Sequence, residues 1–258
     1  VRPPSEIQVG DDNAIGAPHF ITNYSQKFQW ILDGFPGWSH TDIGQNDEKA
    51  VILDDDLVFS ARQLIDGKPS LRTIEDAEQT GVLFDYMETL LDDTALVGVH
   101  PRQMGQNTHP PFVDNGRIIC IQGINRRLIG KVKVDQFPIL ADVVLNCTLL
   151  GRGIGNKIIT THFQDHGPCQ APGGCSIYRT AEMQRSAVEY LSNRFPGYVK
   201  GVERVTNDKW LANEAGVRYD YTAMWKRLYA AGVAFKDGRG PNPDRENSER
   251  STGVPLQE

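Results

Sequence analysis

Cysteine is scarce: four residues in 258 (Cys120, Cys147, Cys169 and Cys175), with no CxxC pair among them. That spacing excludes the usual zinc frameworks, and a disulfide scaffold is not expected in a chain of this size. The four read as reduced, mostly buried thiols of a cytoplasmic protein. Long apolar runs are missing too. No stretch approaches the roughly 20 residues of a membrane span, and the first residues do not have the pattern of a signal peptide. Excess positive charge is also absent. A net charge of −6 argues against a broad nonspecific nucleic-acid surface and leaves room for a local basic groove. No internal repeat is visible. What is present, 39% hydrophobic and 23% charged residues, is the composition of a globular protein with ample material for a core.

The most informative stretch is Val51-Ile52-Leu53-Asp54-Asp55-Asp56-Leu57. Val51, Ile52 and Leu53 predict a fully buried strand of a parallel or mixed sheet. Open sheets of this class bind ligands at the carboxyl ends of their strands, which is where the aspartates fall. Adjacent carboxylates repel, so a cation is their natural partner. A hard divalent ion such as Mn²⁺ or Mg²⁺, shared with substrate phosphates, suits oxygen ligands of this kind. Asp56 is then the direct ligand, Asp54 contacts the ion through water or holds another part of the bound ligand, and Asp55 does either. The plain alternative is an acidic turn after a strand.

Along the rest of the chain, helices and strands alternate. Residues 1–24 read as irregular. Ser25 is placed to cap a helix bearing Phe28, Ile31 and Leu32. Asp76–Leu91 reads as an amphipathic helix with Leu83, Met87, Leu90 and Leu91 on one face. Strands follow at Leu96–His100 and Arg117–Gly123. A further strand over Ile124–Val134 would carry Arg126, Arg127, Lys131 and Lys133 on one hairpin. Such a hairpin either tracks a phosphate backbone or is an ordinary solvated face. A short helix runs from Ala141 to Leu150, a strand from Asn156 to Phe163, and a long polar loop from Gln164 to Cys175. Thr180 caps the next helix, a strand covers Tyr198–Val205, and the last helix spans Tyr221–Ala231. From Lys236 onward too few apolar residues remain to order the chain. The expected organisation is one domain over residues 1–235 and a flexible tail over 236–258.

Three segments together carry a resemblance. They are the Val51–Leu57 run, Ala141-Asp142 before a Leu-rich helix ending Leu149-Leu150-Gly151-Arg152-Gly153, and Gly173-Gly174-Cys175-Ser176-Ile177-Tyr178-Arg179-Thr180. In this order they resemble the glycosyltransferases associated with TET/JBP-type base oxygenases, encoded largely by bacteriophages. The resemblance implies a GT-A-like, Rossmann-like α/β fold. It also implies a divalent metal, a nucleotide-sugar donor such as a UDP-sugar, and a 5-hydroxymethylpyrimidine in DNA as acceptor. A phage enzyme of this kind works in the host cytoplasm, with no membrane partner.

Asp142 is the candidate catalytic base, because a hydroxymethyl group is a poor acid and needs a positioned carboxylate to take its proton. In a retaining enzyme Asp142 would instead orient the donor sugar, and the structural alternative makes it a helix N-cap. His162, at a strand end, is either a third metal ligand or a hydrogen-bonded structural histidine. Gly173 and Gly174 let backbone approach a ligand closely, or simply make a tight turn. Arg62, Arg179 and Lys27 are candidates for the donor diphosphate. The function expected is therefore metal-dependent sugar transfer to DNA. Its rivals are a GT-A enzyme with a non-DNA acceptor and a non-catalytic nucleic-acid-binding module.

Overall fold

The computed structural model describes residues 23–33, 48–54, 56–104, 111–166, 179–205 and 216–246. Its elements in chain order are α1 (Tyr24–Leu32), β1 (Lys49–Leu53), β2 (Leu57–Ile65), β3 (Lys68–Thr73), α2 (Ala77–Leu91), β4 (Leu96–Pro101), β5 (Phe112–Asp114), β6 (Ile121–Asn125), the single turn α3 (Arg126–Ile129), α4 (Ala141–Gly151), β7 (Asn156–His166), α5 (Ala181–Arg194), β8 (Val199–Val205), β9 (Val217–Ala223) and α6 (Trp225–Lys236). Seven strands form one mixed sheet in the order β1-β6-β4-β7-β2-β3, with β5 paired to β7; β8 and β9 form a separate ribbon. The architecture is mixed α/β, a sheet flanked by helices. Among the described residues no helix is long and apolar enough to cross a membrane.

The sheet is mostly antiparallel, with β4 and β7 its parallel pair. Because β1 and β4 both run against β6, the strands β1, β4 and β7 point the same way. Their carboxyl ends share one edge of the sheet, and β2, antiparallel to β7, begins there with Leu57 opposite His166. Asp54 and Asp56 therefore sit at the edge where β1 ends and β2 begins.

Helices cover both faces. On one side α2 brings Leu83, Met87 and Leu91 against Val97, Val99, Ile121 and Ile159. Close approach here needs Gly123, where a Cβ would fall 2.7 Å from the Met87 sulfur. On the other side α4 packs over Leu96, Ile118, Ile124 and Ile158 together with α1, α5 and α6. Ten of the eleven residues of α4 are buried; a helix apolar all round belongs in the core rather than on its surface. Each fully buried aliphatic side chain stabilises by about 1.5–3 kcal/mol, so α4 is the main anchor of this layer. Gly232 on α6 lets the two helices cross in backbone contact, since a Cβ there would meet the Leu150 carbonyl oxygen.

The expected cap at Thr180 holds: it caps α5 through the Met183 N–H at 3.1 Å. The helix expected from Asp76 is α2, with Asp76 as its cap through the Gln79 N–H at 2.7 Å. Other expectations change. The cap of α1 is Asn23, while Ser25 lies inside the helix and is buried. The strand Val51–Leu53 is an edge strand, only partly buried, with Val51 39% exposed; it has one sheet neighbour, so it is not sealed on both sides. Residues 126–134 make no strand. Asn125 accepts a hydrogen bond from the Leu128 N–H and starts the α3 turn instead. That dissolves the expected basic hairpin, and Arg127 pairs with Glu48 at 3.2 Å.

The strand at Asn156 runs on through Asp165 to His166, held by pairing to β2. Residues 217–223 form β9, so the last helix begins at Trp225 rather than Tyr221. The tail is ordered further than its composition suggests. Asp244 is fully buried and takes two hydrogen bonds at 2.9 Å from the Arg194 guanidinium, which is itself buried. A buried ion pair, not apolar area, fixes the chain to residue 246.

Candidate functional site

Asp142 lies in the first turn of α4, and it is the one residue of that helix left partly open to solvent. It is not the N-cap. That position belongs to Leu140, which has a left-handed backbone (φ 63°, ψ 24°) and makes no side-chain cap. The Asp142 carboxyl instead accepts from its own N–H and that of Val143, doing the capping from inside the helix. Burial raises its pKa above the ordinary 3.8, opposed by the Arg117 and Arg179 guanidiniums and by those two backbone bonds. A carboxylate whose charge is disfavoured by its surroundings is a stronger base, which suits proton abstraction from an alcohol.

Arg117 reaches Asp142 because a buried polar network fixes the residue before it. Asn156, at the start of β7, accepts from the Gly116 N–H at 3.0 Å and donates to the Gly116 carbonyl at 2.9 Å. Asn146, one turn beyond Asp142 on α4, donates to the same carbonyl at 3.0 Å and accepts from Asn156 at 2.5 Å. Both asparagines are 1% exposed. Residue 116 is thereby tied to the helix that carries Asp142. Arg117 follows, exposed, its guanidinium 5.4 Å from the centre of the Tyr221 ring. Tyr221, on β9, is 9% exposed, and burial pushes its hydroxyl pKa up, offset by Arg117.

The acidic cluster is joined to this group through the same segment. The Asp54 N–H donates to the Cys120 carbonyl at 2.9 Å. Cys120 is three residues from Arg117, a separation of at most about 10 Å. Leu140 and Cys120 both have φ 63°, a conformation costing bulky residues about 1–2 kcal/mol. Backbone strain of this kind concentrates at functional sites, and here it flanks both candidate carboxylates.

The remaining expected residues divide clearly. Asp56 is exposed in the turn between β1 and β2. Arg179 is brought to Asp142 as described and donates to Gln184 at 2.5 Å. Asp55, Gly173 and Gly174 lie outside the described residues. Lys27 sits half-buried on α1, a helix that packs against α4. His162 and Arg62 do not join the acidic cluster. His162 is paired opposite Ala61, about 16 Å along an extended β2 from Asp56, and its Nδ1 lies 3.1 Å from Thr161 Oγ1. Arg62, one residue further, stacks 5.3 Å from the Phe163 ring. The continuity of β2 separates them. Among the described residues no three His, Cys, Asp or Glu side chains converge as a metal-holding group.

A cleft of about 560 Å³, lined by Asp93, Thr94, Asp114, Lys157 and Tyr229 among others, opens at the amino ends of β4 and β7. It is at the opposite edge from Asp54 and Asp56 and contains none of these carboxylates, but Asn156, which tethers Gly116, lines it. Sequence reasoning missed Arg117 and Tyr221 as site residues. The alternation Val217, Tyr219, Tyr221, Ala223 was the available strand signal for Tyr221; Arg117 had none, since only Gly116's tether places it. No protein-family model, curated protein or solved structure matches this chain.

Proposed function

We propose that this protein is a GT-A-like glycosyltransferase that moves a sugar from a nucleotide donor to a hydroxymethylpyrimidine in DNA. The observation that carries the reading is a buried, charge-disfavoured carboxyl, Asp142, at the start of α4 with the Arg117 and Arg179 guanidiniums beside it. In the reaction the acceptor hydroxyl oxygen attacks the anomeric carbon and gives its proton to Asp142. The bond from that carbon to the diphosphate breaks, and the leaving group keeps the electron pair. Asp54 and Asp56 would hold a divalent ion, whose chemistry is to neutralise charge on the departing diphosphate. Arg117 and Arg179 supply positive charge beside Asp142.

A second acceptor class is supported by the basic residues. Arg126 and Arg127 sit on a helical turn, not a hairpin, and Arg127 and Arg204 pair with Glu48 and Asp220. Positive charge already compensated within the fold suits a non-DNA acceptor. Thermal melting with Mn²⁺ and a panel of nucleoside diphosphates tests the donor half, because a ligand of the folded state raises Tm. The reading requires a metal-dependent shift with one nucleotide that disappears in Asp56→Ala. No shift with any nucleotide would overturn it. Transfer to hydroxymethylated against unmodified DNA then decides between acceptors.

A further inference from the structure

The Tyr221 hydroxyl is shut off from solvent and has no hydrogen-bond partner among the described residues. An unsatisfied buried hydroxyl is costly and calls for an explanation. Its surroundings offer one. The Arg117 guanidinium lies over the ring of the same tyrosine, with five N–H donors and, among the described residues, no hydrogen bond or ion pair. Arg117 is exposed, and a single cation–π contact at such a site is weak enough to yield to a better partner. The position therefore presents donors without acceptors, next to a carboxyl that is itself largely buried.

We propose that Arg117 and Tyr221 form a phosphate-binding subsite beside Asp142, in which Arg117 swings off the ring to grip a phosphate oxygen and the Tyr221 hydroxyl donates to the same group. Arg and Tyr are suited to a phosphoester because its oxygens are strong acceptors and a guanidinium binds two of them at once. The phosphate belongs either to the acceptor strand or to the donor diphosphate. This assignment rests on the sugar-transfer reading, while phosphate binding itself does not depend on it. With an acceptor phosphate held here, the adjoining hydroxyl is carried to Asp142.

The test uses the full 258-residue chain and three probes at one fixed salt concentration: inorganic phosphate, UDP with chelator present, and a single-stranded oligonucleotide containing 5-hydroxymethylcytosine. Tyr221→Phe keeps the ring and removes only the hydroxyl. Its Tm should equal or exceed that of the parent, because no internal hydrogen bond is lost. Its affinity for at least one probe should fall about tenfold, the value of one such bond. Arg117→Gln should weaken the same probe by at least as much, and Lys226→Gln, on the exposed face of α6, should change nothing.

Loss confined to the oligonucleotide assigns the phosphate to the acceptor, and loss confined to UDP assigns it to the donor. The proposal is overturned if no probe binds the parent, if Tyr221→Phe binds every probe normally, or if Tyr221→Phe lowers Tm by several degrees. The two readings fail separately. Tyr221-dependent binding without sugar transfer removes the enzyme assignment and leaves the subsite. Transfer that is indifferent to Tyr221→Phe removes the subsite and leaves the enzyme.

Discussion

Replacing Asn156 by Ala should be one of the most costly single changes near the site. The side chain makes three hydrogen bonds: it accepts from Gly116 N–H and donates to the Gly116 carbonyl and to Asn146 Oδ1. Alanine removes all three. The Gly116 carbonyl keeps a partner, because Asn146 still donates to it at 3.0 Å. Two groups are left unsatisfied, the partly buried Gly116 N–H and the fully buried Asn146 Oδ1. At about 1–3 kcal/mol each, with the first discounted for its access to water, the cost is about 2–4 kcal/mol. For a chain of this size that lowers Tm by roughly 4–12 °C. Urea unfolding should show the midpoint falling at constant m-value. Combining Asn156→Ala with Asn146→Ala should cost less than the sum of the singles, by about 0.5–3 kcal/mol, because the two share Gly116. Phosphate binding should weaken as well, since the residue before Arg117 loses part of its tether. A loss below about 1 kcal/mol, or strict additivity in the cycle, would refute the claim that this network holds Arg117 against Asp142.

Two further outcomes are expected. Asp142→Asn should abolish transfer while stabilising the fold. The folded-state pKa of Asp142 lies above 3.8, so the folded protein holds this proton more tightly than the unfolded chain, and the parent loses stability as pH rises from 3.8 through the raised value. The Tm advantage of the Asn variant should open over that window and then level off; a pH-independent difference would contradict the account. Asp244→Asn removes one of the two carboxylates paired with the buried Arg194 guanidinium, leaving the more exposed Glu246 at 2.8 Å, and should cost up to about 3–5 kcal/mol in urea denaturation. Deleting residues 237–258 should cost a similar amount, whereas a tail without structural role would be lost without effect.

Local chemistry made much of the fold legible. The Asp76 and Thr180 caps are set by a side-chain oxygen meeting an orphan N–H three residues on, which depends on nothing distant. Apolar spacing exposed α2 and α4 in the same way, and Asp142 stood out as a lone carboxylate opening an apolar helix. Strand identity was less visible where a competing local signal intervened. Asn125 turned the chain into α3 by capping it, and the apolar stretch around Tyr221 and Trp225 was consistent with either a strand or a helix at its start.

The rest is long-range. Whether Val51–Leu53 is central or at an edge depends on how many strands lie beside it, which no property of those residues encodes. The length of β2 carried Arg62 and His162 away from Asp56, although for Arg62 short sequence separation had suggested proximity. Arg117, Asp142, Arg179 and Tyr221 come from four separate segments, and their meeting depends on two buried asparagines and the packing of α4. The sequence by itself determined the caps, the helical faces and the carboxylates available for chemistry, because these follow from hydrogen bonding and periodicity within a few residues. Tertiary structure alone decided which carboxylate is desolvated and which cations stand beside it, because burial and Coulomb interaction depend on distance in space.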